Sequence, residues 1–172
     1  RGDHEQPKQT LLPASLTVTS PEGQRSDFAS NSGALPSTGR RLAFAEWLTS
    51  GRHPLVARVI VNRAWLHHFG KGLVETPADF GKLGVSPSHP ELLDWLAANF
   101  VASGWDLRQL LKTMLHSRTY RQTSDVAESL VVRDPYNRLL ARAPRYRLAA
   151  ESVRDGALAI GGLLDLTLGG PS

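Results

Sequence analysis

The residues best suited to chemistry in this chain are Arg63, His67, Asp79 and His89. Arg63 and His67 are four apart, so on a helix they share a face and set a cation beside an imidazole, a pair suited to an anion. The simpler reading is a salt-bridged rim, and the modest worth of such pairs favours it. His67 and His68 are adjacent, hence about 100° apart on a helix, and cannot ligate one metal jointly as histidines spaced by four do. A zinc ion would need one of them together with remote ligands such as Asp79 or His89. With no HExxH motif and no cysteine in the chain, no metal site is assigned.

Other constellations favour structural readings. Asn62 falls inside an apolar stripe, where its amide should bond a neighbouring backbone or side chain. Ser88 beside His89, and Ser117 beside His116, lack the Gly-x-Ser-x-Gly elbow of a serine hydrolase. Asp79, Asp94, Glu151 and Asp155 could pair as carboxylates, but Glu151 is flanked at helical spacing by Arg147 and Arg154, which suits a surface ion network. The glycines at 70, 72, 81 and 84 resemble a phosphate loop only loosely; helix stops and turns explain Gly70 and Gly72 without a ligand. Six arginines between Arg133 and Arg154, with Tyr136 and Tyr146 among them, would suit phosphate contacts and base stacking. Asp134, Glu151 and Asp155 oppose that reading, and no nucleic-acid motif is present.

The elements that must position these groups can be read from periodicity. Residues 1–38 are rich in Pro, Gly, Ser and Thr and read as a linker or wrapping arm, with a weak extended piece at 16–19. Residues 39–172 read as the folded domain. Helices are predicted over 41–48, ending at Ser50-Gly51, and from Pro54 to Gly70 with the stripe Leu55, Val59, Asn62, Leu66 and Phe69. Thr76, Pro77 and Asp79 suggest one short helical turn. Ser88 and Glu91 form a predicted capping box for a helix that Gly104 closes, and Asp106 caps the next, whose stripe is Leu107, Leu110, Leu111, Met114 and Leu115. A short helix is expected from Asp134-Pro135 to Arg142, and a last one over 146–160. The four tryptophans, at 47, 65, 95 and 105, read as core anchors. The fold class is therefore all-α: an orthogonal or bundle-like domain of about five to six helices with an extended, irregular N-terminal arm.

Length fits one domain with a sizeable core, and composition is near the globular norm, which predicts a soluble chain. No apolar run approaches the ~20 residues that span a bilayer. The net charge of +4 rests on sixteen Arg against four Lys, and Arg is the better residue for fixed contacts with carboxylates or phosphates. The absence of a starting Met and the loop-like Gly169-Gly-Pro-Ser172 predict a fragment of a longer chain.

The run Asn62-Arg-Ala-Trp-Leu-His-His-Phe-Gly-Lys-Gly-Leu-Val-Glu-Thr-Pro-Ala-Asp-Phe-Gly81, followed by Ser88-His-Pro-Glu-Leu-Leu-Asp-Trp95, resembles the planctomycete-specific domain called PSD-one, a bacterial domain of unknown function. The resemblance continues through Gly104-Trp105, 117–124, Asp134-Pro-Tyr-Asn-Arg138, Arg147 with Glu151, Arg154-Asp155 and Gly169-Gly-Pro-Ser172, nearly all of the chain from Arg40 onward. It implies an exported or envelope-associated multidomain parent with cytochrome-like modules, in which any haem belongs to other modules and no cofactor to this segment. It carries over no catalytic or binding residues.

Three functions follow as expectations. The first is a non-catalytic assembly or binding module, whose partners are other domains of the same chain, other proteins or a carbohydrate. The second is a hydrolytic enzyme domain, acting on carbohydrate, with a site around Arg63, His67, Asp79 and His89. The third, ranked below both, is nucleic-acid binding through the Arg-rich C-terminal third.

Overall fold

A helix with apolar residues every three to four positions must bury that stripe, and here three helices bury theirs on one another. The computed structural model describes residues 12–20, 25, 27–28, 33, 36–145, 147–167 and 169. Among them are helices α1 (Arg40–Thr49), α2 (Val56–Phe69), α3 (Pro90–Ala102), α4 (Leu107–His116), α5 (Glu128–Arg133) and α6 (Ala150–Ile160). No strand forms among the described residues, and an isolated bridge joins Ala14 to Asp27. The all-α expectation holds. Tyr146, at the expected start of the last helix, and residues 1–11 and 170–172 lie outside the described residues; residues 147–149 are described and not helical, Ala149 being extended, so α6 starts at Ala150, later than expected.

The core is the meeting of α2, α3 and α4. Helix α2 contributes Ala57, Val61, Trp65 and Phe69; α3 contributes Leu93, Leu96, Ala97 and Phe100; α4 contributes Leu110 and Met114. Each large side chain of this set, fully buried, contributes about 1.5–3 kcal/mol. Of the predicted α2 stripe, Asn62 and Phe69 are buried, while Leu55, Val59 and Leu66 are half-buried and Ala57, Val61 and Trp65 take the buried places between them. Of the five residues expected to form the α4 stripe, Leu110 and Met114 are buried while Leu107 and Leu115 face solvent.

The helix ends follow local chemistry. Asp106 accepts the Gln109 amide at 3.0 Å and caps α4. Gly104 (φ 73) turns the chain after α3, its amide bonding Val101 O while that of Trp105 reaches Phe100 O. That is the paired bonding of a glycine-terminated helix. The Trp105 indole then donates to Thr49 O at 3.1 Å, tying the end of α1 to the α3–α4 turn. Arg58 and Asp94, 2.6 Å apart, link α2 to α3 across the surface, and the Arg58 hydrogen bond holds the Asp94 carboxyl below its ordinary range.

The loop between α2 and α3 is held by one buried amide. Asn62, 0% exposed, donates to Val74 O (3.0 Å) and accepts from Val74 N (2.8 Å). This satisfies both backbone groups of Val74 and places Leu73 and Val74 in the core. Gly72 passes so close that a Cβ there would lie 2.5 Å from Val74 O and 2.9 Å from the Asn62 amide. Sterics therefore require glycine at 72.

Four local expectations fail for identifiable reasons. Residues Thr17–Thr19 form a 3-10 turn, closed by Ser20 bonding back to Thr17, in place of an extended piece. The Ser88 capping box does not form, because the Ser88 amide (2.8 Å) and hydroxyl (3.3 Å) both turn to Leu73 O, leaving His89 at the N-cap position of α3 with no side-chain capping bond to the helix. Residues 76–79 make a hydrogen-bonded turn and no helix: Thr76 Oγ1 donates to Asp79 O and accepts from Val85 N. The helix expected from Asp134 to Arg142 is absent, because left-handed Asn137 (φ 52) and Leu140 (φ 54) cannot continue one, and the short helix lies earlier, as α5. Of the tryptophans expected as anchors, Trp47 and Trp65 are buried and Trp105 packs against the core, but Trp95 is 54% exposed.

Where the chain passes from α1 to α2, His53 stacks edge-on against Trp47 (4.6 Å between centroids), and its Nδ1 accepts from Leu55 N (3.1 Å) and Val56 N (3.3 Å). The ring caps the first turn of α2 only while neutral at Nδ1, and burial lowers its pKa below the ordinary value. The unfolded chain therefore takes up this proton first as pH falls, so the contribution is intact above about pH 6.5 and is lost as pH drops through the lowered folded value. Denaturant titration is expected to give a smaller unfolding free energy at pH 5 than at pH 7, with a slope of at most about 1.4 kcal/mol per pH unit for one proton. His53→Gln should remove that slope. Separately, Asn62→Leu strands both Val74 backbone groups and should cost about 3 kcal/mol by the same measurement.

Candidate functional site

A concave site opens where the C-terminal end of α2 and the loop after it face the segment 124–145, which comprises α5 and the turns on either side of it. Its volume is about 420 Å³, within the range of small-molecule sites. Trp65 and Phe69 form the floor, four residues apart on α2 with rings stacked at 3.8 Å and 9°. Leu73 lies beside them because the Asn62 clamp pins its neighbour. Gly70 (φ 74) ends α2, its amide bonding Leu66 O, and turns the chain toward Lys71, Gly72 and Glu75 on the near rim.

The far wall is built around Asp134. Its carboxylate is buried and accepts the amides of Arg138 (2.9 Å) and Leu139 (2.8 Å) on separate oxygens, which folds residues 135–140 into successive turns. The Leu139 amide, then the Arg138 amide and the Arg142 and Arg138 guanidiniums, hold this carboxyl below its ordinary range against the opposing effect of burial. Asn137 donates to Arg142 O at 2.7 Å, Gln122 to Leu140 O at 2.9 Å, and the Ala143 amide to Thr123 O at 3.0 Å. These bonds bring Val126, Val131, Tyr136 and Leu140 to the groove as its apolar wall. Lys71 bridges the two sides, paired with Glu75 at 3.1 Å and 5.8 Å from the centre of the Tyr136 ring.

Four cations line this groove, Lys71, Arg138, Arg142 and Arg145, against one carboxylate, Glu75. Arg145 is paired with Asp125 at 2.7 Å. Arg142 donates from Nη2 to Pro135 O at 2.9 Å, while its Nη1 and the Oδ1 of Asn137 are buried without a hydrogen-bond partner among the described residues. Such orphaned groups are uncommon, and each costs free energy while unmatched.

The four residues first singled out lie elsewhere, and none of them lines the groove. Arg63 and His67 are exposed on α2. Asp79 closes a turn, its Oδ1 accepting the Gly81 amide at 2.7 Å. His89 shares a 3.0 Å hydrogen bond with Ser88, a residue that does line the groove. No hydrogen bond or ion pair joins any two of the four, and no cluster of three or more metal-ligating side chains forms among the described residues. The residues that build the groove wall, Asp134, Asn137 and Arg142, carried a signal that could have found them: Asp-Pro followed by Asn is turn chemistry as much as helix-start chemistry. In the Arg-rich stretch, Arg142 and Arg145 are engaged in local bonds, and Arg154 lies 3.9 Å from Asp155.

A family model described as PSD1, a protein of unknown function (DUF1553), matches residues 40–172. No curated protein and no solved structure matches the chain. The match covers well over half of the sequence, and the chain belongs to this family.

If Asp134 organises the far wall, Asp134→Ala should release the Arg138 and Leu139 amides. Hydrogen exchange at those two positions is expected to accelerate by about 10- to 100-fold, with α2 and α3 unaffected, since bonds to a charged group contribute about 1.5–3 kcal/mol. Asp134→Asn, which keeps one acceptor oxygen, should show a smaller change.

Proposed function

We propose that this member of the PSD1 family is a non-catalytic binding module whose ligand seat is the groove between α2 and the 124–145 segment. One observation carries the reading: a 420 Å³ site with an apolar floor and polar rim, built by two separate side-chain anchors, Asn62 and Asp134. Sites of this form hold ligands by burying an apolar body and orienting it with a few polar groups. Among the described residues no third group orients His89 toward Ser88, and the Ser88 hydroxyl also reaches Leu73 O, so the adjacent pair there lacks the arrangement of an activated nucleophile. A planctomycete origin, export and attachment to cytochrome-like modules are supported by the family resemblance alone and belong to this proposal as its context.

The hydrolytic reading has one observation in its favour, the 3.0 Å contact between Ser88 Oγ and His89 Nδ1 at the groove edge. The two readings separate in one set of measurements on the full chain. Phenylnaphthylamine, an uncharged dye that brightens in apolar surroundings, should bind and shift the methyl NMR signals of Leu73 and Val126, and Ser124→Trp, which fills the groove, should abolish both effects. Ester and glycoside substrates should show no turnover above buffer. Turnover abolished by Ser88→Ala or His67→Ala, or dye binding indifferent to Ser124→Trp, sinks the proposal.

A further inference from the structure

We infer that the groove takes a small amphipathic anion, a carboxylate carried on an apolar ring or chain, with Arg138 and Arg142 as its anion seat. This rests on the binding reading above and adds the chemical class of the ligand. The apolar half of the ligand follows from the floor and wall: the Trp65 and Phe69 stack, Leu73, Val131 and the ring of Tyr136 offer mostly hydrocarbon and aromatic surface to a bound body. A volume of about 420 Å³ holds one small molecule.

The anionic half follows from how the four cations are used. Lys71 and Arg145 each have a carboxylate partner, Glu75 and Asp125. Arg138 is exposed, and its guanidinium makes no hydrogen bond or ion pair among the described residues. Arg142 uses Nη2 on the Pro135 carbonyl and keeps Nη1 buried without a partner. Asp134, whose carboxyl feels both guanidiniums, gives its two oxygens to backbone amides. The groove lining therefore holds two guanidiniums with unused donors, that of Arg138 exposed and that of Arg142 buried. A guanidinium is planar and matches a carboxylate through two parallel bonds, which favours this headgroup over a single hydroxyl or a neutral amide. Low polarity beside the rings strengthens the attraction relative to water. A small displacement of Arg142 toward the groove would match its buried donor and relieve its cost.

Competition against bound phenylnaphthylamine tests the class directly, using naphthoate and its neutral counterpart naphthamide, which share one ring system. Naphthoate should displace the dye at about ten-fold lower concentration than naphthamide, and that advantage should shrink as salt is raised. Arg138→Gln, a surface change that leaves the fold intact, should reduce the advantage several-fold, and Arg142→Met should do the same where the variant still folds; naphthamide should be unaffected by either. Equal displacement by the two compounds, or an advantage that survives Arg138→Gln unchanged, overturns the anion seat while leaving the binding module standing. An acidic peptide that outcompetes naphthoate overturns the small-ligand assignment in favour of a polypeptide partner. Failure of the dye itself to bind removes the module reading, and this inference with it.

Discussion

The two hydrogen bonds between Asn62 and Val74 are the constraint on which the rest of the molecule depends. A polar loop leaving a helix has no intrinsic reason to return to it; here a side-chain amide supplies to Val74 the donor and acceptor that a neighbouring strand would otherwise provide. Because Asn62 and Val74 are buried, the bonds act at low dielectric, and losing them would leave two uncompensated polar groups in the core. The consequences spread from there. Val74 and Leu73 fill the space beneath α2 and α3, Ser88 bonds to Leu73 O, and the chain arrives at Pro90 in position to start α3. Gly72 must be glycine because the clamp leaves no room for a Cβ. Helix packing thus follows from a polar contact as much as from apolar area.

The groove is a by-product of two polar anchors that have no contact with each other. Asn62 sets the near rim through 70–75, and Asp134 sets the far wall through 135–140. Each anchor satisfies backbone groups in a segment that has no regular secondary structure, which is what buried irregular backbone requires. The cost of this design is visible in Asn137 and Leu140, both left-handed, and in the unmatched atoms of Asn137 and Arg142. Left-handed backbone and unmatched polar groups are thus collected in one wall, where each costs stability.

Outside the three-helix core the chain is thinly packed. Helix α1 is held by an aromatic group in which Phe28 of the arm meets Phe44 and Trp47 at about 6 Å, and by the Trp105 bond to Thr49. Helix α6 buries none of its residues, and Val153, Ile160, Leu163 and Leu166 lie open to solvent. Stability is therefore unevenly distributed, concentrated in α2, α3 and α4 and low toward the C-terminal end.

By itself the sequence determined the helical class, the four helices before residue 117, the Asp106 cap, the stop at Gly104 and the buried, bonded role of Asn62. These rest on periodicity and on chemistry within one helical turn, which needs no knowledge of distant neighbours. It misread 134–142, because Asp-Pro serves equally as a helix start and as a turn, and the choice is made by which amides lie within reach of the carboxylate. It pointed to Arg63, His67, Asp79 and His89 because those residue types carry chemistry, yet type says nothing of convergence. Only the tertiary structure decided that Asn62 meets Val74, that Lys71 faces Tyr136, and that Trp65 and Phe69 floor a cavity whose rim comes from Arg138 and Arg142. These are contacts between residues far apart in the chain, fixed by packing that no local pattern encodes.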